Sequence, residues 1–183
     1  MKRGISAVLL AAGVLLAGCA GAQTGDTTTS EAVPVRDGGL ALDAFPVIEG
    51  GKANSEPCPY LDTQWVADTN GERMQGQGVD WRFETPACVF YSYAEEPQLQ
   101  VIVRHTNTAT EARQVVDWAA PIDSTEPAED IEGWSGGRGQ IDSPPGAVYA
   151  VAKDTVAVVV FTDQQQSVKA QLVAAETIRA LGL

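Results

Sequence analysis

An apolar run that ends on a cysteine is the feature that most constrains where this chain can fold. Lys2 and Arg3 precede the run at residues 5–16, and two small residues then lead to Cys19. The run is too short for a stable transmembrane helix, and the pattern is typical of a signal sequence whose cleavage leaves a lipidated cysteine. The sequence therefore predicts a signal peptide at residues 1–18 and a mature chain that begins at Cys19.

A second cleavage site lies just downstream and is the alternative. Residues 20–22 match the A-x-A pattern of ordinary secretory cleavage, which would release a soluble protein from Gln23. We favour the lipidated start, because Cys19 stands where the apolar run ends. We therefore expect the chain to fold on the extracytoplasmic face of a bacterial cell membrane, lipid-anchored through Cys19.

The net negative charge of the chain restricts the classes of partner that it can bind. The formal net charge is −12, and it becomes −14 when Lys2 and Arg3 leave with the signal peptide. Such a charge repels nucleic acid, and no run of Lys or Arg offsets it, so we expect no nucleic-acid partner. The expected partners are the membrane, through the N-terminal lipid, and an unknown envelope protein or small ligand.

The remaining cysteines form an even pair. In an oxidising compartment Cys58 and Cys88 are predicted to form a disulfide, which would stabilise the fold by about 3–4 kcal/mol in the chain-entropy model. The chain has no C-x-x-C spacing, and its single histidine, His105, has no second histidine to build a metal site with. We therefore expect no metal and no cofactor.

Composition divides the mature chain into two parts. Residues 19–57 are rich in Gly, Thr, Ser, Asp and Pro, and this composition predicts a lipidated cysteine followed by a flexible tether. The later part of the tether, residues 40–48, carries enough apolar residues to dock on the domain as an extended segment. Residues 58–183 are long enough for one globular domain with one core.

Apolar periodicity predicts the elements of that domain. Thr108 and Glu111 form a capping-box pattern, and the strand at 155–162 is apolar enough to be central. Helical spacing predicts two buried faces: positions 112, 115, 116 and 119 on the second helix, and positions 168, 172, 175, 178 and 181 on the last. The predicted helices are 59–66, 109–120 and 165–181; the predicted strands are 80–84, 88–93, 98–104, 147–152 and 155–162, with glycine-rich loops near 71–78 and 133–139. This order predicts an α+β single-domain sandwich, a mostly antiparallel sheet packed by about three helices.

Several short motifs resemble a known family. They are the cysteine-terminated signal sequence, the Thr-rich tether, and the segments CPYL (58–61), PACVF (86–90) and VDW (116–118). Through them the chain resembles actinobacterial envelope lipoproteins of the corynebacterial type, whose function is unknown, over about residues 55–183. The resemblance implies a PsbP-like α/β sandwich on the outer face of the cytoplasmic membrane, and it supplies no catalytic residues to carry over.

One segment raises the alternative of catalysis. Residues 133–137 (GWSGG) resemble the surroundings of a trypsin-like nucleophile, and His105 and Asp117 precede Ser135 in the matching order. However, Trp134 replaces the aspartate of that motif, and the domain is too short for the two barrels that hold such a triad. We therefore expect no enzyme, with a small envelope hydrolase acting on peptide or cell-wall material as the alternative.

The tryptophans are the better candidates for contacts with a ligand or partner. Trp65 and Trp81 are predicted in the core, whereas Trp118 and Trp134 lie near loops and are predicted at the surface. Arg138, within a glycine-rich stretch, is a candidate anion contact through its guanidinium and nearby backbone amides.

These candidates favour a non-catalytic binding or interaction role in the bacterial envelope. The acidic residues between positions 123 and 132 depart from the spacing of a calcium loop, and we interpret them as a solvated segment. A large apolar pocket would favour a ligand carrier, and a flat patch of exposed aromatic side chains would favour a protein partner.

The anchor prediction is tested by replacing Cys19 with Ala. Without its thiol the chain has no site for the diacylglycerol, so we expect the variant in the medium instead of the membrane fraction. Metabolic labelling with palmitate should mark the wild type and not the variant, and a wild type that takes up no label would refute the anchor.

Overall fold

A seven-stranded antiparallel sheet forms the centre of the protein. The computed structural model describes residues 36–183, so the predicted signal peptide and Cys19 lie outside the described residues. The elements are α1 (Thr63–Asn70), β1 (Gly76–Asp80), β2 (Thr85–Tyr91), β3 (Pro97–His105), α2 (Ala109–Ala119), β4 (Glu126–Ala128), β5 (Ser135–Asp142), β6 (Pro145–Lys153), β7 (Val156–Thr162) and α3 (Val168–Leu181). The spatial order is β1-β2-β3-β7-β6-β5-β4. The predicted α+β fold with three helices is confirmed.

The apolar strand β7 is central, as its composition predicts. It pairs with β3 on one side and with β6 on the other, and six of its seven residues are buried. A strand covered on both faces needs apolar side chains at successive positions, and the VAVVVF run supplies them. The strand therefore anchors both layers of the core.

The sheet separates two apolar clusters. On one side, the α3 face, α1 and α3 pack against alternating residues such as Val101 and Val160. On the other, the α2 face, α2 packs against their neighbours, such as Ile102 and Val159. Among the described residues the protein is therefore a three-layer sandwich, with the sheet in the middle.

Helix α2 begins as its sequence predicts. The Thr108 hydroxyl accepts a hydrogen bond from the Glu111 amide at 3.1 Å, and the Glu111 carboxylate accepts one from the Thr108 amide at 3.2 Å. This reciprocal capping box satisfies amide donors that the first turn would otherwise leave free. The buried stripe of the helix is the predicted one: Ala112, Val115, Val116 and Ala119.

An irregular segment covers the part of the α2 face that no helix covers. It begins with a 3-10 turn at Arg36–Gly39, and the Ala44 amide closes a second turn on the Ala41 carbonyl at 3.1 Å. Helix α2 lies mainly over β5, β6 and β7, and residues 37–48, which we call the strap, cross the remaining strands. Leu40, Leu42 and Ala44 pack against the cluster of the α2 face. Residues 36–57, which composition alone assigns to the tether, thus include a segment packed on the domain upstream of Cys58.

Helix α1 starts later than predicted. It begins at Thr63 instead of near Pro59, because the Asp62 carboxylate accepts a hydrogen bond from the Trp65 amide at 2.8 Å and caps the helix there. Gly71 ends the helix with a positive φ of 78°.

The first predicted strand was wrong. Residues 81–84 form a turn, and β1 lies just upstream, at Gly76–Asp80, in the stretch predicted as a glycine-rich loop. Here glycine serves close packing: a Cβ at Gly78 would overlap the Ile48 side chain. Gly78 therefore lets the end of the strap cross β1 at short range, and Gly76 does the same for the segment that follows it, at the Lys52 carbonyl.

Strands β4 and β5 were also missed, and for β5 the reason is similar. The stretch at residues 133–139, predicted as a loop, leads into strand β5, which pairs with β4 and β6. A Cβ at Gly137 would lie 2.9 Å from the Ala120 Cβ, so glycine is needed where the end of α2 approaches the sheet. Periodicity cannot register a strand whose inward positions lack side chains.

The buried face of α3 differs in part from the predicted one. Val168 and Leu172 are exposed, and the helix packs through smaller residues, Ala170 and Ala174 among them. These small side chains allow a close approach between α3 and the strands below it. Ile178 is buried as predicted.

The predicted disulfide is confirmed, since Cys58 and Cys88 are bonded across 30 residues of sequence. It ties the segment before α1 to strand β2.

Replacing both cysteines with Ala should lower the free energy of unfolding by about 3–4 kcal/mol, because the unfolded chain regains the freedom that the bond removes. Urea denaturation measures this, with reduced wild type as the matched control. A loss below about 1 kcal/mol would show that the bond contributes little to stability.

Candidate interaction surface

The three predicted contact residues do not come together. Trp118 lies on the α2 face, whereas Trp134 packs in the cluster of the α3 face, and Arg138 lies in the edge region of the sheet. Trp134 was predicted at the surface but is only 4% exposed, with the Lys153 ammonium 5.8 Å from its ring centroid. The long stem of Lys153 can shield an aromatic ring in this way.

Arg138 is engaged in an ion pair. Its guanidinium donates to the Asp130 carboxylate at 3.0 Å, and its strand is hydrogen-bonded on both sides, to β4 and to β6. The backbone amides of the glycine-rich stretch therefore serve the sheet instead of forming a loop that cradles an anion. Arg138 also lines an open, mainly polar groove of about 530 Å³ beside the start of α3.

Ser135, His105 and Asp117 do not form a catalytic triad. The Ser135 hydroxyl accepts a hydrogen bond from the Arg113 guanidinium at 2.6 Å, and His105 shares a hydrogen bond of 2.8 Å with the Thr85 hydroxyl. Strands β7 and β6 lie between His105 and Ser135, which corresponds to about 14 Å at ordinary strand spacing. In this arrangement His105 cannot take a proton from Ser135.

The acidic segment before β5 forms no metal centre in the structure. Within residues 36–183, no group of three or more His, Cys, Asp or Glu side chains is placed to hold a metal ion. Asp130 is used by Arg138, and its neighbours Glu129 and Glu132 are exposed.

Aromatic side chains meet where the strap passes α2. The Phe45 ring packs edge-on against Trp118, with ring centroids 5.1 Å apart, and lies 5.3 Å from Phe161. Trp118 in turn contacts Phe161 at 5.9 Å. These pairs attach the strap to both the helix and the central strand. Trp118 therefore has a packing role together with its partial exposure.

Exposed apolar side chains lie on the strap beside this cluster and on the turn that is hydrogen-bonded to the strap. Phe45 is 40% exposed, Val47 is 65% exposed and Trp81 is 63% exposed. Trp81 was predicted in the core, but the turn between β1 and β2 carries it outward, where its indole N–H donates to Glu56 at 3.0 Å. We call Phe45, Val47 and Trp81 the apolar patch. Sequence reasoning missed it, because the alternation of Trp81 with Phe83 looked like that of a strand.

Polar contacts hold the patch in place. The Val47 amide donates to the Asp80 carboxylate at 2.8 Å, and the Arg82 guanidinium donates both to Asp80 and to the Phe45 carbonyl. Burial opposes ionisation of Asp80, but hydrogen bonds from Arg82 and Val47 outweigh it and hold the pKa of Asp80 below its usual range. The turn and the strap are thus fixed to each other by one ionised carboxylate.

Arg104 anchors the other end of the strap. Its Nε donates to the Asp37 carboxylate at 2.7 Å, and its terminal nitrogens donate to the carbonyl oxygens of residues 40–42 at 2.9 to 3.3 Å. The guanidinium also lies 5.6 Å from the Phe83 ring centroid. Both charged side chains are almost fully buried, so each requires the other.

A second polar cluster joins the ends of α1 and β7. The Gln164 side-chain amide donates to Glu72 at 3.1 Å and to Asp163 at 2.9 Å, while the Asn70 amide also donates to Asp163. Lys169 donates to Gln164 on the same side. Burial, together with the facing Glu72 carboxylate, raises the pKa of Asp163.

Comparison with known proteins places the chain in a family. The described part is an α+β domain whose strap and apolar patch make its most distinctive surface. Residues 40–183 match the family described as domain of unknown function DUF2020, and the chain belongs to that family. No curated protein matches the chain. The match begins within the strap, so residues 40–48 of the strap lie within the family domain.

The neighbouring carboxyl groups of Asp163 and Glu72 predict that the stability of the fold depends on pH. Because the pKa of Asp163 is higher in the folded protein than in the unfolded chain, the folded state binds its proton more tightly. Protonation of Asp163 therefore stabilises the folded state at acid pH. This stabilisation is lost as the pH rises from the pKa of Asp163 in the unfolded chain through its pKa in the folded protein. We expect Asp163→Asn to be more stable than wild type at pH 7, with a smaller difference at pH 3.

Urea denaturation at both pH values measures the effect. Glu72→Gln is the matched variant, because it removes the facing charge and should also relieve the neutral-pH penalty. If Asp163→Asn were less stable than wild type at pH 7, the direction of the Asp163 shift would be refuted.

Proposed function

We propose that the protein is an extracytoplasmic lipoprotein, anchored to the bacterial cell membrane through Cys19, with a non-catalytic interaction role in the envelope. The cysteine-terminated signal sequence supports the anchor. The Cys58–Cys88 bond supports an oxidising compartment, because such bonds persist outside the cytoplasm. In residues 36–183, no helix is long and apolar enough to cross a bilayer.

The apolar patch is the observation that carries the interaction role. Phe45, Val47 and Trp81 form an exposed apolar surface that two polar residues, Asp80 and Arg82, hold in one arrangement. Contact surfaces for proteins are enriched in aromatic residues, and a pre-ordered surface loses little conformational freedom on binding. We propose a protein of the envelope as the partner at this patch.

The charge of the chain restricts that partner. The protein carries a formal net charge of −12. Asp43 and Glu49 flank Phe45 and Val47 along the chain, and Glu56 accepts the hydrogen bond of the Trp81 indole. A neutral or cationic protein surface is therefore easier to accommodate than an anionic one. We further propose that the protein is an actinobacterial envelope lipoprotein with a PsbP-like sandwich. The sheet between helices is compatible with that fold.

Site-specific photo-crosslinking tests the interaction role. A photoreactive phenylalanine at position 81 should capture an envelope protein in intact cells, because Trp81 lies in the patch. The matched control is position 93, since Tyr93 is 70% exposed but lies beyond the opposite end of β2. We expect at least a fivefold higher yield from position 81. Equal products from both positions, or none, would contradict an interaction at the patch.

A further inference from the structure

The strap lies in a groove that recognises its main chain. Across β1 to β3, Asp80 binds the Val47 amide, Arg82 binds the Phe45 carbonyl, and Arg104 binds the carbonyls of residues 40–42. Charged side chains of the sheet and its first turn thus satisfy the backbone of a segment that pairs with no strand. Such contacts do not depend on the identity of the segment's side chains.

The side chains of the strap add specificity. Leu40, Leu42 and Ala44 alternate into the apolar cluster, and Asp37 meets the buried guanidinium of Arg104 at 2.7 Å. The groove thus combines hydrogen bonds to a main chain with sites for apolar side chains, the two kinds of contact by which proteins recognise peptides. The groove therefore has the construction of a peptide-binding site, and the chain's own strap occupies it.

A glycine pair separates the strap from the rest of the domain. Gly50 and Gly51 have positive φ angles of 80° and 53°, and no atom lies within 4 Å of a Cβ placed at either position. Immediately after them the chain is held again, because Lys52 donates to the Tyr93 carbonyl at 2.8 Å and Asn54 accepts from the Gln77 amide. The glycine pair is therefore the point where the backbone meets least steric resistance to turning, although the Gly51 amide donates across it to the Ile48 carbonyl at 3.0 Å; the following segment is held in place.

We propose that the groove on β1–β3 exchanges its occupant, and that the strap of a second copy of this chain binds there in place of the resident one. The second copy supplies the one segment shown to match the groove, with an acidic residue for Arg104 and apolar residues at alternate positions. The strap makes the same contacts in its own groove and in the groove of another copy. The ratio of the two states therefore depends on the glycine hinge and on the local concentration of the protein.

Lipid anchoring raises that local concentration, and for this point alone the proposal rests on the proposed function. Copies held on one membrane share a thin layer, so a released strap meets neighbouring grooves more often than it would in solution.

Cross-linking between two differently tagged, full-length chains tests the exchange. One copy carries Ile48→Cys, and the other carries Ile48→Ala with Gly78→Cys; Ile48 contacts the position of a Cβ at Gly78, and the Ala gives that Cβ room. After co-expression, a short bismaleimide is added to the cell fractions. We expect a product that carries both tags, at least fivefold above the control.

The control replaces Gly78→Cys with Ile122→Cys, which places an exposed thiol after α2, outside the groove, and reports random collisions. A single chain with both Ile48→Cys and Gly78→Cys should link internally. The proposal is overturned if the two-tag product does not exceed the control, or if the single-chain pair stays unlinked. Fractionation reports the anchor separately: membrane-bound chains without two-tag product would refute exchange alone.

Discussion

The buried ion pair between Arg104 and Asp37 is the interaction on which the α2 face of this protein depends. A guanidinium in the middle of a sheet face would be costly without a partner. The strap supplies that partner: one carboxylate and three carbonyl oxygens of the strap accept hydrogen bonds from the Arg104 guanidinium. The ion pair therefore explains why a segment with no strand pairing of its own covers β1 to β3 beside helix α2.

The strap also creates the surface to which we assign the function. It brings Phe45 against Trp118 and Phe161, and it places Val47 beside the turn that carries Trp81. The same segment is thus buried on one side and exposed on the other. Any occupant other than an identical strap would remove Phe45 and Val47 from the apolar patch, so binding at the patch and occupancy of the groove are physically coupled.

Strong local patterns in the sequence predict much of the fold. The capping box of α2, the apolar run of β7 and the cysteine pair each depend on a few neighbouring residues or on pairing by elimination, and all three are confirmed. Strands β1 and β5 were missed, because their glycines make room for residues that are distant in sequence, Ile48 at β1 and Ala120 at β5. The exposure of Trp81 and the burial of Trp134 likewise depend on tertiary placement that alternation along the chain does not encode.

Amide hydrogen exchange of the strap tests the central claim most directly, since we regard residues 37–48 as a bound peptide on an otherwise complete domain. If the strap opens as a unit, amides such as that of Val47 should exchange together at a lower opening free energy than those of β3 and β7, and Arg104→Gln should accelerate them selectively. Strap amides that exchange only with the central strands would instead show an inseparable part of the core and contradict the bound-peptide interpretation.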